Sequence, residues 1–180
     1  MAGETPADDL VRFWEVARLR AGLGKLAVVT GSTPALMVPP PAWSFGADAA
    51  EADELLALVL AGTKTATASA FWHYETGDEP LPSNRDLGIV LDGAGRPSAL
   101  VRTEEVRVVP FDQVDVEHAA AEGEGDLTLA AWRAAHKEFF TRELAEAGRV
   151  FDHALPVVLE RLKLLYPRPE APRDRGGPTT

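Results

Sequence analysis

The sequence contains no cysteine among its 180 residues. Disulfide scaffolds, thiolate zinc sites, iron–sulfur clusters and cysteine nucleophiles are therefore excluded. No stretch reaches the roughly 18 apolar residues that a membrane-spanning helix needs. Residues 1–25 also lack the basic start and apolar run of a signal peptide. We therefore expect a cytoplasmic protein that has no membrane partner.

Positive charge is also scarce. The chain has 18 Lys and Arg residues and 28 Asp and Glu residues, which gives a formal net charge of −10. A surplus of negative charge opposes electrostatic binding of a polyphosphate backbone, so long nucleic acid is a disfavoured partner. With 46% hydrophobic and 26% charged residues, the composition is that of a folded globular protein of about one domain.

Common catalytic signatures are missing as well. The sequence has neither a G-x-S-x-G motif nor a Gly-rich dinucleotide fingerprint, which argues against the commonest serine hydrolases and NAD-dependent enzymes. The histidines His73, His118, His136 and His153 lack the paired spacing of helical zinc ligands. We expect them to be surface or structural residues, and we expect neither a metal nor a cofactor.

The periodicity of apolar residues divides the chain into helices and strands. It predicts helices over 10–19, 49–61, 112–123 and 127–147, and strands over 65–72, 88–92, 98–111 and 156–166. The prolines at 39–41 predict an extended connector, 75–85 a long loop, and 92–95 a hairpin turn.

Helix ends also have sequence signals. Asp8 or Asp9 is expected to cap the first helix and Asp126 the last, because a carboxylate at that position accepts a hydrogen bond from the first turn. Gly62 is expected to end the second helix.

The densest chemical signal is Gly62-Thr63-Lys64-Thr65-Ala66-Thr67-Ala68-Ser69, between a predicted helix and a predicted strand. Because side chains alternate along a strand, Thr65, Thr67 and Ser69 would share one face, and their hydroxyl groups could line a pocket beside Lys64. The alternative is that Lys64 only compensates the helix C-terminus and the threonines favour strand formation. A phosphate-binding loop fits poorly, because that motif places glycine directly before lysine and a strand before the helix.

A second signal is Glu122-Gly123-Glu124-Gly125-Asp126, three carboxylates separated by glycines. Crowding raises the pKa of at least one carboxylate, which would suit a general acid or base in a partly buried cleft. The alternative is a solvated turn in which Asp126 caps the next helix. A calcium site is not expected, because the loop lacks the length and terminal glutamate of such sites.

Aromatic residues stand close to these signals in the sequence. Trp43, Phe45, Trp72 and Tyr74 flank the predicted pocket strand. They would either stack on a base or pack in the core.

Four segments together resemble the ASCH domain family. They are W-S-F-G at 43–46, ADELLALVLAGTKTATAS at 52–69, the strand at 86–91 and AEGEGDLTLAAW at 121–132. The resemblance implies an α+β, PUA-like fold: a small, strongly curved β-barrel with flanking helices and a cleft beside the GxKxxT segment. It divides the chain into an N-terminal helix and extended connector packing on the domain (1–42), the ASCH domain (43–166) and a disordered tail (167–180).

The family resemblance also implies site residues. Some compact relatives resemble amidohydrolases that remove the acyl group of N4-acetylcytidine with a lysine, a threonine and a glutamate. These fall on Lys64, Thr67 and Glu124, with Glu122 as the alternative glutamate. Arg85 stands where many relatives have glycine, so it could alter the pocket rim or contact an anion. The residues expected to bind substrate are Trp43, Phe45, Gly62, Thr65, Ser69, Arg85 and Glu122.

We therefore predict an amidohydrolase that acts on an N4-acylated nucleoside. Thr67 would attack the acyl carbonyl or position water, Lys64 would act as base or stabilise the oxyanion, and Glu124 would transfer the proton. The expected partner is a small modified nucleoside or single-stranded RNA. A noncatalytic RNA-binding module and, ranked lower, a ribonuclease are the alternatives, and the oligomeric state is not predicted.

Overall fold

The computed structural model describes residues 5–23, 38–75 and 80–168. These residues form four α-helices and five β-strands. The predicted α+β arrangement is thereby confirmed. In chain order the elements are α1 (Pro6–Arg20), β1 (Ala42–Trp43), α2 (Ala49–Leu60), β2 (Ala66–Ala70), β3 (Leu87–Leu91), β4 (Pro97–Pro110), α3 (Val116–Glu122), α4 (Leu129–Glu146) and β5 (Pro156–Tyr166). Short 3₁₀ turns follow β2 and β4, over Phe71–Tyr74 and Phe111–Gln113. The predicted helices and strands all occur, whereas β1 was not predicted.

The five strands form one open sheet in the order β1-β3-β4-β5-β2. β1 runs parallel to β3, and every other pairing is antiparallel. Within the described residues the edge strands β1 and β2 do not pair with each other, so the closed barrel expected from the family resemblance is wrong. The physical reason is that β1 has only two residues, which pair with β3 alone.

Three apolar clusters join the helices to this sheet. The first contains α1, the second α2, and the third α3 and α4. Burial of these side chains is the main stabilising contribution. The clusters are formed by Trp14, Ala17, Ile89 and Leu100; by Phe45, Leu56, Val59, Val90, Ala99, Val101 and Leu162; and by Ala70, Phe111, Val114, Ala119, Trp132, Phe140, Leu144, Val157 and Leu159.

Hydroxyl side chains cap the first and last helices. Thr5 caps α1, and Asp8 closes a capping box with it instead of being the cap itself. Thr128 caps α4, while Asp126 accepts hydrogen bonds from the Thr128 amide and hydroxyl. The predicted aspartate caps are therefore wrong. The predicted role of Gly62 is confirmed, since it follows α2 in the left-handed conformation with φ +75°.

Parts of some predicted segments lie outside the described residues. These parts are 24–37 of the predicted connector, 76–79 of the predicted loop and 169–180 of the predicted tail. The helix ahead of the connector, α1, packs against β4 and β5.

Replacing Arg85 by glycine is expected to raise the free energy of unfolding by about 0.5–1 kcal/mol. Arg85 has a left-handed backbone with φ +77°, which costs a residue with a Cβ atom roughly 1–2 kcal/mol. Glycine avoids that strain but loses part of the gain through its larger unfolded-state entropy. Urea denaturation measures the change. The control Arg18→Gly, in the last turn of α1, should instead lower stability by about 1 kcal/mol, and a loss at both positions would contradict the strain argument.

Candidate functional site

The G-T-K-T segment is fixed between α2 and the end of α3. After Gly62, the amides of the next two residues donate to the carbonyl of Leu58 at 2.9 and 3.1 Å. The amide and the hydroxyl of Thr65 both donate to the carbonyl of Ala121, at 2.7 and 3.2 Å. These bonds hold the lysine backbone beside the acidic turn that follows α3.

Gly123 allows the acidic turn to approach this closely. It has φ +73°, and a Cβ atom built on it would lie 2.5 Å from the carbonyl oxygen of Thr63 and 2.9 Å from the amide nitrogen of Lys64. Only glycine permits this backbone conformation and this contact together. As a result, the flanking carboxylates Glu122 and Glu124 both reach the lysine side chain.

Lys64 is a buried ammonium group between two carboxylates. The residue is 3% exposed, and its Nζ donates to Glu122 Oε2 at 3.0 Å and to Glu124 Oε1 at 2.5 Å. Nζ also lies 5.2 Å from the centre of the Phe45 ring, in cation–π range. Because the Glu122 side chain is 1% exposed and that of Glu124 is 30% exposed, Lys64 connects a fully buried carboxylate with a partly solvated one.

Glu122 is held by donors on every side. Its Oε1 accepts hydrogen bonds from His118 Nε2 at 3.0 Å and Trp132 Nε1 at 2.8 Å, and His136 Nε2 lies 3.5 Å from its Oε2. Burial alone would raise the pKa of Glu122, but the hydrogen bonds from both histidines and the charge of Lys64 hold that pKa well below its ordinary value of 4.5. The carboxylate is therefore ionised at neutral pH.

The two histidines were missed as site residues by sequence reasoning, which treated them as surface or structural. His136 stacks on Trp132 with 4.1 Å between ring centres, and its Nδ1 lies 3.1 Å from the Trp132 carbonyl oxygen. The available signal was helical spacing. His118 precedes Glu122 by four residues and His136 follows Trp132 by four, so each pair shares a helix face.

Two adjoining cavities lie beside this cluster. One has a volume of about 100 Å³ and the other of about 410 Å³, and five residues border both. The smaller cavity is lined by Phe45, Gly46, Glu51, Leu55, Lys64, Thr67, Ala68, Glu122, Glu124, Ala135, His136 and Phe139. The larger one shares Phe45, Gly46, Thr67, Ala68 and Phe139 with it, and its further lining residues include Trp43, Ser69, His73, Tyr74, Asp86, Thr103, Glu143 and Glu160.

The structure brings the three residues assigned to catalysis to one cavity. Lys64, Thr67 and Glu124 all line the smaller cavity, together with the alternative glutamate, Glu122. Thr67 borders both cavities, so it lies where they meet. Both glutamates therefore border the same cavity as Lys64.

The residues expected to bind substrate divide into two groups. Trp43, Phe45 and Ser69 line the larger cavity and Glu122 the smaller one, and Ser69 Oγ is 2.9 Å from the hydroxyl oxygen of Tyr74. Gly62, Thr65 and Arg85 line neither cavity. The reasons are that Gly62 ends α2, the Thr65 hydroxyl bonds to Ala121, and Arg85 is exposed at a backbone turn. Of the predicted row of hydroxyl side chains, only Thr67 and Ser69 line either of these two cavities. Trp72 lines neither and packs against the core cluster that contains α4.

Two further features are absent from residues 5–23, 38–75 and 80–168. No group of three or more His, Cys, Asp or Glu side chains there is arranged to hold a metal ion. In the same part of the chain, no helix combines the length and apolar character needed to cross a membrane.

Comparison with known proteins identifies the family. The sequence matches the family model described as ASCH domain over residues 41–166. The chain belongs to the ASCH domain family. The predicted membership is thereby confirmed, and the match begins two residues before the predicted start. The PUA-like relationship stays a prediction.

Solved structures resemble this ASCH domain over most of their length. The ASCH domain of Lactobacillus crispatus JV V101 is 31% identical, with a TM-score of 0.68, and the match covers 82% of this chain and 94% of that one. A protein from Enterococcus faecalis V583 is 27% identical, with a TM-score of 0.71, and the match covers 95% and 98%. A search of curated proteins found no match.

Proposed function

We propose that this ASCH domain is an amidohydrolase that removes the acyl group from an N4-acylated cytidine-type nucleoside. The observation that carries the proposal is the convergence of Lys64, Thr67 and Glu124 on one cavity. These are the three residues to which the family resemblance assigns deacylation. The adjoining cavity, of about 410 Å³, falls within the usual size of small-molecule sites and leaves room for the nucleoside.

The contacts of Lys64 favour its role as an oxyanion stabiliser over its role as a base. Nζ donates hydrogen bonds to two carboxylates, and a lysine ammonium group has no lone pair with which to accept a proton. A fixed positive charge in a buried site stabilises the negative oxygen of a tetrahedral intermediate. Thr67, in the wall that both cavities share, supplies the hydroxyl that attacks the acyl carbonyl or orients a water molecule.

The two glutamates have different roles in this proposal. Glu124 is partly exposed and touches Lys64 through Oε1, so its carboxylate accepts the proton of the attacking hydroxyl and returns it to the leaving amine. Glu122 has both oxygens engaged by buried donors, so it is a positioning residue that fixes Lys64. One water molecule is consumed, and the products are the free amine and a carboxylic acid.

Replacing Thr67 by valine is expected to lower kcat/KM for N4-acetylcytidine at least about a hundredfold. Valine removes the hydroxyl but keeps the branched shape that suits a strand. Ultraviolet detection of conversion to cytidine measures the effect. The matched control is Thr65→Val, because the Thr65 hydroxyl bonds to Ala121 and lies outside both cavities. Equal losses in the two variants, or no turnover by the wild-type protein, would reject the proposal.

A noncatalytic RNA-binding module is the second candidate. Trp43 and Tyr74 line the larger cavity, and unstacked RNA bases commonly stack on aromatic side chains. This candidate is distinguished by affinity for short RNA that falls with salt and by the absence of turnover.

A further inference from the structure

The walls of the larger cavity carry fixed charge of one sign. Its lining includes the carboxylates of Asp86, Glu143 and Glu160, and no lysine or arginine of the described residues lines it. His73 Nε2 lies 3.3 Å from Glu143 Oε1, and it contributes positive charge only when protonated. Lys64 lines only the smaller cavity and not the larger one. A ligand in the larger cavity therefore meets a negative electrostatic potential.

Glu160 is the carboxylate nearest to the proposed nucleophile along the sheet. It lies directly opposite Thr67 in the β2–β5 ladder, so the two side chains share a face with their Cβ atoms about 4.5–5.5 Å apart. Both line the larger cavity. The hydroxyl of Thr103, a residue 6% exposed, donates to Glu160 Oε2 at 2.9 Å. This hydrogen bond fixes the orientation of the carboxylate in the wall.

We propose that Glu160 is a specificity-determining residue that accepts a hydrogen bond from an N–H or O–H group of an unphosphorylated ligand in the larger cavity. An ionised carboxylate only accepts hydrogen bonds, so it matches the donors of a nucleoside. The location of the reacting amide at Thr67 rests on the proposed function, whereas the selection against phosphate rests on the cavity walls alone.

Phosphate is the group that these walls reject. A 5′-monophosphate bound in this cavity would add negative charge beside three carboxylates, and the Debye length at physiological salt is about 8 Å. Screening is incomplete at such distances, so repulsion weakens binding. A strand of RNA has phosphates on both sides of each nucleoside and meets the same repulsion.

The test compares the binding of cytidine and of cytidine 5′-monophosphate to the full chain by isothermal titration calorimetry. We expect cytidine to bind at least about tenfold more tightly, with a difference that shrinks at high salt. Glu160→Gln should weaken cytidine binding roughly tenfold and narrow the difference between the two ligands. The control Glu105→Gln removes the same charge from β4, where the side chain is 57% exposed and outside the cavity, and should change neither value.

A second variant separates the effect of the Glu160 charge from the effect of its orientation. Thr103→Val removes the hydrogen bond to Glu160 but keeps the carboxylate, so cytidine binding should weaken while discrimination against the monophosphate persists. Circular dichroism checks that each variant is folded.

The outcomes also separate this inference from the proposed function. Discrimination without turnover of N4-acetylcytidine would support the role of Glu160 and reject deacylation. Turnover of N4-acetylcytidine with equal affinity for cytidine and its monophosphate would support deacylation and reject the role of Glu160. Tighter binding of the monophosphate or of a short RNA, no binding of cytidine, or equal effects of Glu160→Gln and Glu105→Gln would overturn the inference.

Discussion

Replacing Glu122 by glutamine is expected to lower the free energy of unfolding by about 3–5 kcal/mol at pH 7, the usual cost of removing one partner of a buried ion pair. The glutamine oxygen can still accept hydrogen bonds from His118 and Trp132. Its NH₂ group then faces the Lys64 ammonium group, so two hydrogen-bond donors lie together without an acceptor between them. Urea denaturation of both proteins measures the difference.

Glu124→Gln is the matched control for this prediction. It makes the same chemical change at the other carboxylate that contacts Lys64. Because the Glu124 side chain is 30% exposed, its loss should cost no more than about 1 kcal/mol. Equal costs at the two positions would contradict the view that burial of Glu122 makes its pairing essential.

The effect of Glu122→Gln should depend on pH in a defined direction. The pKa of Glu122 in the folded protein lies well below its ordinary value of 4.5. A carboxyl group with a lowered folded pKa contributes stability that is fully present above its unfolded pKa and is lost as the pH falls through its folded pKa. The difference between wild type and variant should therefore be constant near neutral pH and shrink below pH 4.5.

The secondary structure followed from local sequence signals. β5 occupies Pro156–Tyr166, the predicted bounds, because its apolar residues and the flanking turns specify a strand without long-range information. Helix caps were less predictable, since threonine and aspartate both accept hydrogen bonds from a first turn. Thr5 and Thr128 have the extended backbone of a capping residue, and the sequence alone does not state which polar residue adopts it.

The site was only partly predictable because its contacts join distant parts of the chain. Lys64 and Glu122 are 58 residues apart. The family resemblance suggested a shared cleft, with Glu122 only as the alternative to Glu124, and no local pattern suggested their ion pair. The need for glycine at position 123 follows from contact with Thr63. The position of Glu160 opposite Thr67 follows from strand register. Register and tertiary approach are not encoded in any single segment, so neither was foreseen.

Replacing Lys64 by methionine is expected to lower kcat/KM for N4-acetylcytidine by about a thousandfold, in the range seen when an oxyanion donor is removed. The same change removes the cation that pairs with the buried Glu122, so the free energy of unfolding should fall by about 3–5 kcal/mol. A loss of activity in this variant alone would therefore not distinguish chemistry from unfolding.

The double variant Lys64→Met with Glu122→Gln separates the two effects. Glutamine keeps an oxygen for His118 and Trp132, and its amide group no longer faces a charge, so stability should be largely restored relative to either single change. Turnover should remain as low as in Lys64→Met, because no cation is left to stabilise the oxyanion. If the double variant recovered turnover together with stability, Lys64 would serve only to neutralise Glu122, and its place in the mechanism would have to be given up.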